Sequence, residues 1–374
     1  MAGRAFPEIK KHLGLGFMRL PMKGSKVDRE QTNEMVDAFI AAGFNYFDTA
    51  HGYHNGDSEL AIRDCVTSRY PRDAYVLTDK LTDNYFKKQE DIRPFFENQL
   101  EWCGVDYFDF YLMHAQDATL FEKYKRCRAY ETCLQLKEEG KIRHFGISFH
   151  DRADVLDRIL TEYPQVEIVQ IQFNYLDYAN ASVQSKEVYE VCRKHGKPVL
   201  VMEPVKGGTL VNLPEEADKV LKDLHGGSNA SYAIRFAASF DGMEVVLSGM
   251  SDLSQLEDNM SYMKDFRPLS ETERAAVQKV TDIFGSLEMI PCTACRYCIE
   301  ESTCPQSILI PNLFAVMNQK QVFHGWNQDF YYGQLTTENG KASDCIQCGL
   351  CESVCPQHLP IRDLLVDVAK EFEQ

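Results

Sequence analysis

From about residue 14 to residue 264, short runs of β-branched and aromatic residues alternate with longer segments whose apolar positions recur at helical spacing. Eight runs read as strands: LGLGFMRL (13–20), NYFDTA (45–50), AYVLTDK (74–80), FDFYLMH (108–114), IRHFGIS (142–148), IVQIQFN (168–174), PVLVMEP (198–204) and EVVLSGM (244–250). Several are apolar almost throughout, as strands covered by helices on both faces should be. Helical segments lie between them, among them EMVDAFIAAG, closed by Gly43, and SVQSKEVYEVCRKHG, closed by Gly196. Eight βα units in about 250 residues predict an α/β fold, a closed (β/α)8 TIM barrel whose reactive groups belong at the C-terminal ends of its strands. An open doubly wound sheet is the competing fold, and no G-x-G-x-x-G turn follows a strand to favour it. The pattern then changes. PLSETERAAVQKVTDIF (268–284) reads as a linking helix, and beyond it the chain is dense in cysteine and ends on an amphipathic helix, IRDLLVDVAKEF (361–372). The expected organisation is a barrel over 1–266, a linking helix over 267–285 and a small α-helical domain over 286–374.

Composition narrows the functional classes. Of 374 residues, 44% are hydrophobic and 26% charged, an ordinary balance for a globular chain. No apolar stretch approaches the roughly 18 residues of a membrane span, and the N-terminal segment has no apolar signal core, so the expectation is a cytoplasmic protein. Lys and Arg total 40 against 56 Asp and Glu, a formal charge of −16 that repels phosphate backbones and argues against a nucleic-acid partner. Thirteen cysteines in a reducing compartment are core filler, nucleophiles or metal ligands rather than disulfides.

Three polar residues end successive strand runs, Asp48, Lys80 and His114, and Tyr53 follows Asp48 in the next loop. Tyrosine is a weak acid, with a pKa of about 10, and gives up its proton near neutral pH only where a neighbour stabilises the phenolate. A buried Lys80 would do that, with Asp48 holding the ammonium and offsetting its desolvation. His114 could donate a hydrogen bond to the same substrate oxygen, which completes a pocket for a developing oxyanion with its own acid. His51, His54 and Trp326 read as structural or surface residues.

FDTAHGYHNGDSE, TDK ending at Lys80 and YLMH ending at His114 closely resemble the aldo-keto reductase family over roughly residues 12–265. The resemblance implies a barrel that reduces an aldehyde or ketone with NAD(P)H, Tyr53 acting as the acid and Asp48, Lys80 and His114 completing the tetrad. It also implies cofactor positions. Ser148 and Gln170 match the residues that hold the nicotinamide carboxamide, Phe149 replacing the frequent Asn after that Ser. Met202 falls where many members place a Tyr against the nicotinamide ring. SGMSDLSQLEDN resembles the adenosine loop, with Asp258 and Asn259 at the adenine. Gly249 and Gln255 occupy the positions that are basic in NADPH-specific members, an exchange that weakens a preference for NADPH and admits NADH.

Eight of the cysteines lie in two runs. Cys292, Cys295, Cys298 and Cys304 form C-x2-C-x2-C-x5-C-P; Cys345, Cys348, Cys351 and Cys355 form C-x2-C-x2-C-x3-C-P. The second run matches the bacterial ferredoxin pattern, in which the fourth Cys serves the other cluster. That resemblance implies two 4Fe-4S clusters, one on Cys292, Cys295, Cys298 and Cys355, the other on Cys345, Cys348, Cys351 and Cys304. Paired zinc sites are the alternative, although a third Cys at the same spacing is redundant for tetrahedral zinc. Cys65, Cys103, Cys127, Cys133 and Cys192 read as small apolar filler.

A nicotinamide delivers two electrons as a hydride, whereas a 4Fe-4S cluster takes one at a time. Three readings follow. The first is a carbonyl reductase acting on a small carbonyl or alcohol, with clusters that are structural or serve an electron-transfer partner. The second is an electron-transfer oxidoreductase in which the clusters feed a flavin or other acceptor in the barrel, although the chain carries no flavin motif. The third is a cluster-bearing interaction module on a silent barrel.

Overall fold

A computed structural model describes residues 5–180, 183–287, 289–300, 302, 304–322 and 327–373. Eight parallel strands close a barrel: β1 (Leu13–Gly16), β2 (Tyr46–Asp48), β3 (Val76–Leu81), β4 (Phe108–Gln116), β5 (Ile142–Phe149), β6 (Ile168–Gln172), β7 (Val199–Met202) and β8 (Met243–Gly249). Each pairs with its sequence neighbour, and β8 pairs with β1 to complete the ring. The expected (β/α)8 fold is present, every expected run overlaps one strand, and the helices lie between strands as the periodicity predicts. Gly43 and Gly196 both take left-handed φ just past helix ends, at 85° and 65°, a conformation in which a Cβ is strained.

The first run departs from its expected length. Only Leu13–Gly16 is strand; Phe17–Arg19 turns through a 3-10 helix ahead of Pro21. The residue before a proline is held in extended backbone, so Leu20, at φ −62° and ψ 155°, ends the turn.

Inside the barrel, Tyr46, Val76, Phe110, Leu112, Ile168, Leu200, Val245 and Leu247 form one buried cluster, joined by Phe6 and Ile9 from the segment before β1. Because side chains alternate faces along a strand, these residues set the inward parity of six strands. Asp48, Lys80, His114, Gln170 and Met202 keep that parity farther along β2, β3, β4, β6 and β7. The same period that fills the core therefore delivers the polar residues to the barrel interior at the C-terminal ends of the strands.

The chain divides into two compact units. One is the barrel, up to Pro204 and again over Ala230–Glu271; the other joins Val205–Asn229 to Thr272 and everything beyond. Within the second unit, the helices Ile310–Gln321 and Ile361–Phe372 carry a core of Leu313, Phe314, Met317, Leu365 and Val368, joined by Ile308, Tyr332 and Leu359. The excursion Val205–Asn229 belongs here by direct contact. A Cβ on Gly207 would lie 2.1 Å from the Thr293 carbonyl oxygen, so only glycine lets the two backbones approach this closely. Among the described residues, no helix is long and apolar enough to cross a membrane.

The barrel wall is as tight at Gly146 of β5, where a Cβ would meet Leu112 Cδ2 at 2.6 Å and the Ile168 carbonyl oxygen at 2.7 Å. Gly146→Ala is expected to destabilise the fold by about 1–3 kcal/mol through overpacking. An unchanged urea midpoint would show that the wall relaxes at no cost.

Candidate active site

Lys80 ends buried inside the barrel mouth with three oxygens around its ammonium. Its Nζ donates to Asp48 Oδ1 at 2.6 Å, to the Thr49 carbonyl at 2.8 Å and to Tyr53 Oη at 3.3 Å. The β2–β3 register makes this possible: Asp48 is paired with Thr78, and Lys80 stands two residues farther along on the same face. Burial pushes the Asp48 carboxyl above its ordinary value, and the ammonium of Lys80 draws it back only in part. Tyr53 leaves the strand end in a short 3-10 turn, Tyr53–Gly56, and its ring meets that of His114 edge to face with centroids 6.1 Å apart. His114 shares a 2.7 Å hydrogen bond between its Nδ1 and Thr82 Oγ1, which fixes the ring. Burial, and then the charge of Lys80, hold this imidazole well below its ordinary pKa, so it is neutral. Asp48, Tyr53, Lys80 and His114 are thus gathered at one mouth. The arrangement is a phenol beside a buried cation, an acid whose conjugate base is electrostatically stabilised.

The candidate cofactor residues spread around the same mouth. Ser148 pairs with Gln170 across β5 and β6, and Gln172 pairs with Met202 across β6 and β7. Ser148 Oγ accepts from the Ala115 amide at 2.8 Å, and the Gln170 amide nitrogen donates to Asp48 Oδ2 at 3.4 Å. Met202 is half-buried, and Phe149, which replaces the family's Asn, is buried. Gly249 ends β8 in the open. Beyond it, Gln255 lies in the helix Leu253–Met263, where its side chain bonds Asp252 and the Ser251 amide. Asn259 is buried, donates to Ser248 Oγ at 2.8 Å and accepts from the Tyr262 hydroxyl; Asp258 is half-buried beside it.

Behind β3 lies a polar group that the strand pattern does not announce. Asp79 has the outward parity, opposite to Lys80, and sits buried with Glu59 and Cys103. Cys103 Sγ approaches Asp79 Oδ2 at 3.6 Å, Gln99 donates to Glu59 Oε1 at 3.0 Å and to the Lys80 carbonyl at 3.1 Å, and Tyr111 donates to Gln99. His51 closes the set, its Nδ1 at 2.5 Å from Glu59 Oε2 and its ring stacked on Trp102. Burial raises Glu59 to about 7, and it raises Asp79 well above its ordinary value with the Glu59 charge added. Such a pair keeps a proton. Cys103, read from sequence as apolar filler, is buried in polar company; the available signal was Asp79 itself, a carboxylate inside an otherwise apolar strand. His51 is structural, as expected, whereas Trp326 lies outside the described residues. Thr82 carried its own signal, two residues beyond Lys80 and so on the same face.

The cysteine runs line two cavities. One is bordered by Cys292, Cys295, Cys298 and Cys355, with Phe314, Leu359 and Ile361. The other is bordered by Cys345, Cys348, Cys351 and Cys304, with Ile308, Ile310 and Leu365. Each cavity takes three sulfurs from one run and the fourth from the other. Burial first, and then the neighbouring thiols, raise Cys298 well above an ordinary thiol. Four thiolates in such an apolar hole need a compensating cation, and a donor set of four sulfurs in each cavity fits an iron-sulfur core.

The family model for the aldo/keto reductase family matches residues 12–282, and that for a 4Fe-4S dicluster domain matches residues 291–360. An NADH-specific methylglyoxal reductase of Escherichia coli is 28% identical over 218 residues, which span 53% of this chain and 64% of that protein. An aldo-keto reductase of Mycolicibacterium paratuberculosis is 27% identical over 259 residues, 68% of this chain and 81% of its own. Among solved structures, an aldo-keto reductase of Klebsiella pneumoniae in complex with NADPH shares the fold at a TM-score of 0.60 and 19% identity, over 73% of this chain and 95% of that one.

The acid pair generates a pH dependence with a definite sign. Glu59 takes up its proton at about 7 when folded and near 4.5 when unfolded, so the folded state binds more protons between those values. Its contribution to stability is full below about 4.5 and is lost as pH rises through about 7. Glu59→Gln is therefore expected to gain on the wild type by on the order of a few kcal/mol between pH 5 and pH 7.5. Parallel denaturation profiles for the two proteins across that range would contradict a shared proton.

Proposed function

The chain belongs to the aldo/keto reductase family, and from that premise we propose that it is an oxidoreductase reducing an aldehyde or ketone with a nicotinamide dinucleotide. Tyr53 serves as proton donor, and the protein carries two 4Fe-4S clusters in its C-terminal region. The observation that carries this reading is the Lys80 ammonium, held at 2.6 Å by Asp48 and lying 3.3 Å from the Tyr53 hydroxyl.

Ser148, Gln170 and Met202 would hold the nicotinamide end of the cofactor, and Gly249, Gln255, Asp258 and Asn259 the adenosine end. Their chemistry fits: two buried polar side chains on β5 and β6, a half-buried thioether at the end of β7, and the end of β8 with the helix Leu253–Met263 that follows it. When bound, the reduced nicotinamide supplies a hydride to the carbonyl carbon. The chain does the rest. Tyr53 gives its proton to the carbonyl oxygen, and Lys80 stabilises the phenolate left behind. Asp48 keeps the ammonium in place without competing for the proton, because its Oδ1 is already occupied by Lys80. The neutral imidazole of His114, oriented by Thr82, polarises the same oxygen as a hydrogen-bond donor. Gly249 and Gln255 provide no cation for a 2′-phosphate, and NADH is the cofactor for which the similar methylglyoxal reductase of Escherichia coli is specific.

The two sets of four cysteines would each hold one 4Fe-4S cluster, and thirteen reduced cysteines suit a cytoplasmic, oxygen-poor setting. A small carbonyl compound or alcohol is the substrate partner, and an external electron carrier is the partner that one-electron clusters would serve.

Two measurements test this reading. Tyr53→Phe is expected to lower kcat about 10²- to 10⁴-fold with nucleotide affinity unchanged; full turnover in that variant removes Tyr53 from the reaction. Protein purified without oxygen should hold about eight iron and eight sulfide per chain, and Cys355→Ser should lose about half of each. About four iron in the wild type would leave room for a single cluster.

A further inference from the structure

Resting on the reading above, the nucleotide must run from Met202 at the end of β7 to the loop that follows β8, so its phosphates cross the ends of these two strands. The positions that bring a cation to that loop in other members are Gly249 and Gln255 here. A cation nevertheless arrives from another strand. β1 pairs with β8, Gly16 opposite Gly249, and the 3-10 turn Phe17–Arg19 begins at that point. A Cβ added to Gly249 would stand 3.1 Å from Cβ, Cγ and Cδ of Arg19 alike, closer than side chains normally pack, so the bare backbone at 249 is what the Arg19 stem lies against. Ser251 Oγ donates to the Arg19 carbonyl at 2.8 Å and ties the turn to the loop after β8.

The guanidinium reaches toward the residue after Met202. Arg19 Nη2 is 4.0 Å from Glu203 Oε1, the outer limit of an ion pair, and both side chains keep part of their surface open, 31% and 18%. Glu203 occupies the left-handed region at φ 56°, uncommon for a residue with a side chain, and its carbonyl accepts from Asn174 at 3.0 Å. A long, part-exposed pair of this kind is weak. The Glu203 carboxylate carries the same sign of charge as the phosphates, and Arg19 sets a cation beside it.

We propose that Arg19 is a phosphate-binding residue for the dinucleotide, donating from the end of β1 to phosphate oxygens that cross β7 and β8. The planar guanidinium can grip two of those oxygens at once, which a lysine ammonium does not do. Glu203 keeps the guanidinium aimed at the crossing until a phosphate replaces it as the main partner.

The test is equilibrium binding of NADH and NADPH to the full, cluster-loaded chain, followed by fluorescence over a range of salt, for wild type, Arg19→Ala, Arg19→Lys and Glu203→Gln. Arg19→Ala is expected to weaken both nucleotides at least tenfold and to flatten the salt dependence. Arg19→Lys should fall between it and wild type, and Glu203→Gln should bind as tightly as wild type or more so. Equal losses for NADH and NADPH assign the contact to the bridging pyrophosphate; a loss confined to NADPH places Arg19 at the 2′-phosphate instead and overturns a contact at the crossing. Affinities within twofold of wild type for both nucleotides in a folded Arg19→Ala protein overturn the proposal. So does a Glu203→Gln protein weakened as much as Arg19→Ala, because the pair is then merely structural. If Arg19→Ala does not fold, Arg19→Lys decides alone, wild-type affinity for both nucleotides counting against the role. A wild type that binds neither nucleotide would instead overturn the functional reading, and this inference with it.

Discussion

A buried ammonium is expensive, and the barrel mouth is arranged around compensating one. Removing Lys80 from water costs several kcal/mol unless charge and hydrogen bonds replace what hydration supplied. Asp48 supplies the charge and the Thr49 carbonyl a further acceptor, both from the end of β2, the strand beside it. Neither could reach Lys80 if the β2–β3 register slipped, since a one-residue slip turns every side chain to the opposite face. The third contact, Tyr53 Oη, is the longest of the three and belongs to a loop rather than a strand. The two short bonds therefore fix the cation, and the cation in turn biases the phenol.

The same strand carries a second electrostatic problem on its other face. Asp79 and Glu59 lie buried between β3 and the surrounding helices, where two carboxylates cannot both be charged. They are served by partners of another kind: the Lys80 backbone amide and Gln99 donate to them, and the His51 imidazole shares a hydrogen bond with Glu59. Gln99 also donates to the Lys80 carbonyl, so the acid pair holds the backbone of the residue whose side chain works on the opposite side. Lys80 is thus braced from within the barrel and from behind it. That double support holds both the backbone and the ammonium of a residue whose nitrogen has three oxygens within 3.3 Å.

How much of this could be read from the chain depends on how local each feature is. The eight strands were legible because a wall covered on both faces needs near-continuous apolar runs, and the mouth residues were legible because inward parity continues past the core into Asp48, Lys80 and His114. Cysteine spacing is local too, and three sulfurs on two short loops constrain what can sit between them. Asp79 was visible as an anomaly without a partner, because Glu59 lies 20 residues before it and Gln99 and Cys103 on a helix 20 and 24 residues after it. Arg19 was hidden inside an apolar run that looked like more strand than it is, and only the early turn before Pro21 sets it beside Gly249. The grouping of Val205–Asn229 with the cysteine-rich region is the least local of all. It rests on backbone meeting backbone at Gly207 and Thr293, a contact that leaves no mark in composition or period.

That last contact bears on how the second unit holds together. Neither sulfur-lined cavity is closed by a continuous stretch of chain: Cys355 completes the set begun by Cys292, and Cys304 the set begun by Cys345. Each cavity also takes its apolar wall from the helices Ile310–Gln321 and Ile361–Phe372, so neither can form before those helices pack. Binding an ion or cluster to such a site is inseparable from folding it, because the unfolded chain offers the sulfurs at distances set only by loop entropy. The excursion Val205–Asn229 is built into this cooperative unit while both of its ends are covalently continuous with barrel segments, at Pro204 and Ala230. A cut at the helix Glu271–Gly285 would therefore not release an intact barrel, since the connection after β7 would lose the surface it packs on. Two regions that look separable along the chain, the barrel and the cysteine-rich tail, are thus linked by a loop that lies between barrel strands in sequence and packs in the second unit.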